Sequence, residues 1–232
     1  MAGIDSNTKL MLHMNGTDGS TTFTDSSDSA HTITAIGNAQ IDTAQSKFGG
    51  ASGLFDGTGD YLTVPDSNDW NFGSGDFTID CWIRINVVKN EVVFSHTVTG
   101  AANCKMKLLI SANLLRFVVF DLSDNIIVNF TNDFIPSVNV WYHLAVVRNG
   151  STWTIYIDGV GGTPATSSET LPDYTDNFII GSMLESGSSL NDFDGWIEEF
   201  RISNVARWTV NFTPPSSEYS VSVETFSASI IM

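Results

Sequence analysis

The stretch WYHLAVVRNGSTWTIYIDG, residues 141–159, decides the fold class. Both alternating sets of positions in its first half carry apolar side chains, which predicts a strand that is buried on both faces. A turn at Gly150 follows, and Trp153, Ile155 and Ile157 then line one face of a partner strand. We therefore expect this hairpin at the centre of a sandwich of two antiparallel sheets.

Strand-like segments continue along nearly the whole chain. Examples are FTIDCWIRIN (77–86) and DGWIEEFRIS (194–203), and turn signals recur about every ten residues, as in all-β sandwiches. The dipeptide Asp-Gly favours tight hairpin turns because both of its residues tolerate positive φ. It occurs at Asp18-Gly19, Asp56-Gly57, Asp158-Gly159 and Asp194-Gly195. The sequence thus predicts an all-β protein, a two-sheet antiparallel β-sandwich.

The composition fits a packed domain and excludes several classes of partner. With 232 residues and 42% hydrophobic content, the chain can form one large all-β domain or two small ones, and its length favours one. A net charge of −16 with only 10 Lys and Arg argues against nucleic acid, because few side chains can contact phosphates. No segment approaches the roughly 18 apolar residues of a membrane-spanning helix, so we expect no membrane insertion. The polar start MAGIDSNTKL predicts no secretory signal peptide.

The two cysteines do not form a disulfide framework. Cys81 falls on the same face of a predicted strand as Phe77, Ile79 and Ile83, so we interpret it as a small buried apolar residue. A bridge between Cys81 and Cys104 is the alternative.

Five segments resemble the concanavalin A-like lectin/glucanase jelly rolls, in particular the laminin G-like domains of bacterial and viral proteins. They are LMLHMNGTDGSTTFTDSS (10–27), SKFGGASGLFDGTGDYLTVPDS (46–67), GDFTIDCWIRIN (75–86), WYHLAVVRNGSTWTIYIDG (141–159) and DGWIEEFRISNVARWTVNFTPP (194–215). The resemblance implies a jelly-roll domain over residues 1–215, followed by a short C-terminal tail over residues 216–232. Lectins, adhesion modules and glycosidases share this fold, so the fold alone does not give the function.

The carboxylates do not match a hydrolase. Glycoside hydrolysis needs two carboxylates roughly 5–10 Å apart, and the hydrolases of this superfamily resemble one another through Glu-x-Asp-x-x-Glu on one strand. This chain lacks that triplet, and Glu198 and Glu199 are adjacent, so we expect them on opposite faces of their strand. No Gly-x-Ser-x-Gly elbow or zinc motif is present, and His143 fits a core histidine. We expect no enzymatic activity.

Calcium is the cofactor that the resemblance implies, at a rim site that often joins an early loop to the final strand. The candidate ligands are Asp25, Asp56, Asp60 and Glu198, because calcium prefers carboxylate and carbonyl oxygens. Glu198 stands where sequences of this family commonly have Asp. The alternative is that all four are ordinary turn and surface residues.

Sugar binding would use aromatic rings at a loop rim. Three candidates lie in predicted loops: Trp70, Tyr174 and Trp208. For Trp208, the alternative is a cap on the base of the sandwich. The remaining tryptophans lie within predicted strands, and we interpret them as core or sheet packing: Trp82, Trp141, Trp153 and Trp196.

The ending NVARWTVNFTPP resembles versions found in bacteriophage structural proteins. We therefore predict a non-enzymatic virion protein, a capsid decoration or tail-associated module, whose lectin-like fold binds host or environmental glycans. Alternating apolar residues in 216–232 predict docking on the domain or on a neighbouring subunit, and hence a homo-oligomer or contacts with capsid or tail proteins. The alternatives are a free calcium-dependent lectin, secreted or on a cell surface without a recognisable signal peptide, and, least favoured, a glycan-active hydrolase.

Overall fold

The computed structural model describes residues 3–98, 104–111 and 113–221 of the chain. The strands in these residues are β1 (Thr8–Leu12), β2 (Thr34–Ile36), β3 (Gln40–Asp42), β4 (Ser52–Asp56), β5 (Tyr61–Val64), β6 (Phe77–Ile85), β7 (Glu91–His96), β8 (Met106–Ser111), β9 (Leu114–Phe120), β10 (Ile126–Asp133), β11 (Trp141–Asn149), β12 (Thr152–Ile157), β13 (Val160–Gly161), β14 (Ala165–Thr166), β15 (Phe178–Ile180), β16 (Met183–Glu185), β17 (Ser188–Leu190) and β18 (Asp194–Ser203). A short 3₁₀ helix, Asn68–Trp70, lies between β5 and β6. Within the described ranges, no helix is long and apolar enough to cross a membrane.

Two large sheets form a sandwich. The first sheet has the order β13-β12-β11-β6-β18-β4-β3, with β1 paired to β18 and β14 paired to β12. The second sheet has the order β10-β9-β8-β7-β15-β5-β2, and β16 and β17 form a separate hairpin. The strand pairs are antiparallel. The predicted all-β antiparallel sandwich is therefore confirmed.

The interior strands show why the sequence pattern predicts this fold. Alternate residues of β6 point into the core between the sheets, beginning with Phe77, Ile79 and Cys81. β11 lies between β12 and β6, and its central residues are buried on both faces, as its two apolar faces predict. Cys81 and Cys104 are both buried and free, which confirms the interpretation of Cys81 and excludes the bridge in this structure.

Aromatic side chains join the two sheets. Phe94 of β7 contacts Phe200 of β18 edge to face, with 6.0 Å between ring centroids. Phe117 of β9 contacts Trp153 of β12, with 6.2 Å between centroids. Burying one such side chain stabilises the fold by about 1.5–3 kcal/mol, so these contacts contribute to holding the two sheets together.

The Asp-Gly dipeptides do not all form turns. Asp158 and Gly159 connect β12 to β13 with φ of 48° and 77°, which is the predicted two-residue hairpin. Asp194 and Gly195 instead begin β18, where Gly195 pairs with Phe55. The predicted turn at Asp194 is therefore wrong, because strand pairing outweighs the local turn preference at this position.

A β-bulge interrupts β18 opposite β6. Glu198 pairs with Trp82, but the next pair joins Arg201 to Asp80, so β18 has one extra residue here. Both Ile197 and Phe200 point into the core, which leaves Glu198 and the bulged Glu199 (φ 53°) on the outer side. The expectation that these two glutamates lie on opposite faces is wrong, because the bulge breaks the alternation.

The compact domain continues past Pro215. Tyr219 is buried, and the backbone N–H of Ile4 donates to the carbonyl of Ser220 at 2.8 Å. Residues 216–221, the first part of the predicted tail, therefore pack on the domain itself. The remainder of that tail, residues 222–232, lies outside the described residues.

Candidate functional site

A polar pocket of about 300 Å³ lies beside the loop that joins β5 to β6. Residues from this loop, from β1 and from the segment after β18 line it together. The lining residues are Lys9, Asn68, Asp69, Asn71, Phe72, Gly75, Asp76 and Asn204. We call this cavity the Asn68 pocket.

The 3₁₀ helix positions one wall of the pocket. The Ser67 hydroxyl caps the helix by accepting from the Asp69 N–H at 3.2 Å. Trp70 points inward and is only 2% exposed, with its ring against His31 (4.7 Å) and Phe178 (6.0 Å). Trp70 therefore anchors the loop, and the next residue, Asn71, is exposed to solvent.

The side chains of the pocket are rich in free hydrogen-bonding groups. The amides of Asn68, Asn71 and Asn204 make no hydrogen bond to any residue that the structure describes. Each amide carries two N–H donors and one carbonyl acceptor. Asp69 adds a carboxylate whose Oδ2 accepts from Ser29 Oγ at 2.6 Å and from His31 Nε2 at 3.0 Å. The pocket can thus donate to and accept from several ligand hydroxyls at once.

The predicted sugar-stacking rings are not exposed platforms. Trp70 and Tyr174 are both buried, so neither offers a ring face to solvent. The Tyr174 hydroxyl donates to the carbonyl of Phe120 at 2.7 Å, which explains why a polar aromatic is accommodated there. Trp208 stacks on Phe212 with 4.0 Å between centroids and covers the outer face of the first sheet. Trp208 thus has a packing role, as in the alternative that we named, but on the face of a sheet and not at the base of the sandwich.

The first two candidate calcium ligands hold loops through backbone hydrogen bonds. Asp25 is buried, and its carboxylate accepts from the N–H groups of Met11, Ser27 and His31 at 2.8–2.9 Å. Asp56 is exposed and accepts from the Thr58 N–H at 2.9 Å, an ordinary turn contact.

Asp60 and Glu198 are engaged in the same way. The two oxygens of Asp60 accept from the N–H groups of Asn38 (2.5 Å) and Asp56 (2.9 Å). Glu198 accepts from the N–H groups of Lys47 (2.5 Å) and Phe48 (2.6 Å). Among the described residues, no group of three His, Cys, Asp or Glu side chains could hold a metal ion. The four carboxylates do not fit a shared calcium site, and calcium binding stays a prediction.

The bulge glutamates are also closed to substrate. Both are buried, and burial raises the pKa of Glu198 to about 7 and raises the pKa of Glu199. Glu199 bonds to Nδ1 of His13 at 2.5 Å and accepts from the Tyr219 N–H at 2.7 Å. These contacts fix the C-terminal segment to the sheet and leave no exposed carboxylate pair at this position.

The predicted residue Trp70 lies in the same loop as the pocket residues Asn68 and Asn71, but its own ring is buried. The run PDSNDWN (65–71) is rich in Asp, Ser and Asn, and this composition was the available signal for Asn68 and Asn71. Lys9 and Asn204 carry no such signal, because only the fold brings them to the same cavity.

A family model described as the concanavalin A-like lectin/glucanases superfamily (Laminin_G_3) matches residues 56–208 of this chain. No curated protein sequence matches the chain significantly. The family match covers most of the first sheet and the loop of the Asn68 pocket.

Several solved structures are similar in fold. The binding domain of Paraclostridial Mosquitocidal Protein 1 has 19% identity and a TM-score of 0.65, over 86% of this chain and 49% of that chain. The receptor binding domain of botulinum neurotoxin C/D mosaic serotype has 16% identity and a TM-score of 0.67, over 88% and 49%. The binding domain of botulinum neurotoxin DC in complex with SialylT has 15% identity and a TM-score of 0.64, over 87% and 48%. Our chain spans about half the length of these structures, and at such identities the likeness shows the fold alone.

Proposed function

The chain belongs to the concanavalin A-like lectin/glucanases superfamily, and from this premise we propose that it is a non-enzymatic module that binds glycans in the Asn68 pocket. The observation that carries the proposal is the set of three amides without a protein partner around one cavity. Ligand pockets combine a concave shape with a few polar groups that fix orientation. Sugars present adjacent hydroxyls, and each amide can donate to one hydroxyl while it accepts from the next.

The other lining groups favour a neutral glycan over an anionic one. Lys9 places one positive group in the pocket beside the two carboxylates of Asp69 and Asp76, so an anionic ligand would meet net repulsion. Phe72 supplies the apolar part of the lining. Stacking on Phe77, with 4.2 Å between ring centroids, holds its ring in place. A volume of about 300 Å³ suits a short glycan segment such as a chain end.

The similar structures support a binding role. Those named above are binding or receptor-binding domains by their descriptions, and one of them holds SialylT. The burial and hydrogen bonding of Glu198 and Glu199 support the absence of catalysis. Association with a virus particle stays a prediction that rests on the ending NVARWTVNFTPP, and copurification with particles would test it.

A glycan array tests the proposed function. We expect the wild-type chain to bind neutral glycans, and the double variant N68A/N71A to bind them about 5- to 150-fold more weakly, because each of the two lost hydrogen bonds costs about 0.5–1.5 kcal/mol. Asn90→Ala is the matched control, since Asn90 is also exposed and has no hydrogen bond to the described residues. Arrays run with calcium and with EDTA test the alternative of a calcium-dependent lectin, for which glycan binding should be lost in EDTA. Absence of glycan binding by the wild-type chain, or equal binding by N68A/N71A, would overturn the proposal.

A further inference from the structure

Two Asn-Gly dipeptides occur in the chain, at Asn15-Gly16 and Asn149-Gly150. An asparagine before glycine is prone to deamidation, because glycine has no Cβ to hinder the attack of its backbone nitrogen on the asparagine side chain. Both asparagines are exposed, so sequence and solvent access do not distinguish the two sites. The hydrogen bonds around them do.

Asn149 is held in a way that hinders the reaction. It ends β11, where it pairs with Thr152 of β12. The attacking group would be the backbone N–H of Gly150, and this N–H donates to Asp76 Oδ1 at 2.6 Å. The hydrogen bond to a carboxylate must break before Gly150 can attack, which should slow deamidation of Asn149 about 10- to 150-fold.

Asn15 lies in the loop after β1, outside any strand. The backbone N–H of Gly16 makes no hydrogen bond to any residue that the structure describes, so the attacking nitrogen is available. The Asn15 side chain does have a partner, because its Nδ2 donates to Glu218 Oε1 at 2.6 Å. Of the two dipeptides, Asn15-Gly16 is therefore the reactive one, and its side chain has a structural role.

The contact between Asn15 and Glu218 joins the loop after β1 to residues 216–221. Gly49 approaches the same point closely, since a Cβ at this position would collide with Glu218 Oε1 and with Asn15 Oδ1. Beside Glu218, the Tyr219 N–H donates to Glu199 Oε2 at 2.7 Å and attaches the segment to β18. A chemical change at Asn15 thus acts directly on the segment that Tyr219 anchors.

We propose that Asn15 is a deamidation site and that its conversion loosens the attachment of residues 216–221 to the first sheet. The Gly16 nitrogen attacks Cγ of Asn15, and the new C–N bond closes a succinimide ring. The bond between Cγ and Nδ2 breaks, and Nδ2 leaves as ammonia with the proton of the Gly16 N–H. Water then adds to one ring carbonyl and opens the ring, which leaves aspartate or isoaspartate at position 15.

The product reverses the sign of the contact with Glu218. A carboxylate replaces the N–H donor opposite Glu218 Oε1, and two like charges at this distance repel each other. The contacts of the Tyr219 hydroxyl with Asp80 and Arg201 remain, so the segment opens more often without leaving the domain permanently. Asn15 does not line the Asn68 pocket, so the inference is independent of glycan binding.

Peptide mass spectrometry on the wild-type chain, incubated at 37 °C and pH 8, tests the chemistry. Deamidation replaces an amide NH₂ by OH, and an isoaspartyl methyltransferase labels the isoaspartate product. We expect the modification to accumulate about 10- to 150-fold faster at Asn15 than at Asn149, because only Gly150 must first break its hydrogen bond. Equal rates at the two asparagines, or an unmodified Asn15, would contradict the assignment of the site.

Amide hydrogen exchange at Tyr219 tests the effect on residues 216–221. N15D carries the aspartate product, and its Tyr219 amide should exchange about tenfold faster than that of the wild-type chain. N15A cannot deamidate and loses the hydrogen bond without adding a charge, so its exchange should rise less. N90D adds one charge at an exposed position elsewhere and should leave this amide unchanged.

Three results would overturn the link between Asn15 and the segment. The first is equal exchange of the Tyr219 amide in N15D and in the wild-type chain. The second is equal exchange in N15D and N15A, which would assign the effect to the lost hydrogen bond and not to repulsion. The third is an equal acceleration of the β6 amides in N15D, which would mean that the whole domain is destabilised.

Discussion

Arg201 and Asp80 form an ion pair that is completely buried on the outer side of the first sheet, with 3.0 Å between Arg201 Nε and Asp80 Oδ1. Tyr219 closes over this pair: its hydroxyl donates to Asp80 Oδ2 at 2.7 Å, and its ring centroid lies 3.7 Å from the Arg201 guanidinium carbon. Burial acts to raise the pKa of Asp80, but the charge of Arg201 holds that pKa below its ordinary value. The pair thus ties β6 and β18 to the C-terminal segment.

Substitution of Asp80 should be strongly destabilising. In D80N, Arg201 stays buried without its counter-charge, and breaking a buried pair in this way costs about 3–5 kcal/mol. Y219F removes only one hydroxyl and should cost about 1–2 kcal/mol. Urea unfolding followed by circular dichroism measures both values. A smaller loss in D80N than in Y219F would contradict this account of the pair.

Truncation should show how much residues 216–221 contribute to the stability of the domain. A chain that ends at Pro215 loses Tyr219 and its contacts with Glu199 and Arg201, so its free energy of unfolding should fall by at least as much as in Y219F. A chain that ends at Val221 keeps these contacts and should be more stable than the chain that ends at Pro215. Thermal unfolding compares the two, and equal stability would argue against a structural role for residues 216–221. Light scattering on both chains tests the predicted assembly through 216–232.

Glu91 should make the folded protein less stable as the pH rises from acid to alkaline. The Glu91 side chain is fully buried. Its Oε2 accepts from the Asp194 N–H at 2.9 Å, and its Oε1 has no partner among the described residues. Burial raises the pKa of Glu91 to about 8. The folded chain therefore holds a proton that the unfolded chain releases near pH 4.5. The resulting stabilisation is complete below pH 4.5 and is lost as the pH rises to 8.

The test for Glu91 is a comparison with E91Q between pH 5 and pH 9. Gln keeps the acceptor for Asp194 but does not ionise, so the wild-type chain should lose stability relative to E91Q by the order of a few kcal/mol over this range. Chemical unfolding at each pH measures the difference. Parallel pH profiles for the two chains would mean that Glu91 is ionised in the folded state.

Both thiols should be unreactive in the native protein. Burial raises the pKa of Cys104 to about 11 and raises that of Cys81 well above its ordinary value, so neither forms the reactive thiolate at neutral pH. Ellman's reagent should detect no thiol in the folded chain and both after unfolding. Dithiothreitol should leave the melting temperature unchanged, and a reductant-dependent shift would instead indicate the Cys81–Cys104 bridge.

Calcium should have little effect on the stability of the domain. Asp25, Asp60 and Glu198 already accept backbone N–H groups, and among the described residues no three His, Cys, Asp or Glu side chains lie together as a metal-binding group. We expect the same melting temperature in calcium and in EDTA. A saturable rise with calcium that disappears in D60N would restore the rim site predicted from the family resemblance.

Local sequence patterns were sufficient for the strands. β6 and β11 follow from the alternation in FTIDCWIRI and WYHLAVVRN, because a strand places successive side chains on opposite faces wherever it lies. The same alternation places Cys81 in the core. The resemblance of five segments then gave the superfamily, which the family match over 56–208 bears out.

Other features depended on which strands pair and in which register. The bulge that puts Glu198 and Glu199 on one side of β18 exists only because β18 has one residue more than β6 between two pairs. Trp70 reads as a loop residue, yet the fold places Phe178 beside it and buries it. The same holds for both proposed sites, which collect residues that are distant along the chain. Sequence by itself determined the faces of regular strands such as β6 and β11, because alternation is a local property. The tertiary structure decided where that alternation breaks and which functional groups are exposed, since register and solvent access depend on what pairs with and packs on each residue from elsewhere.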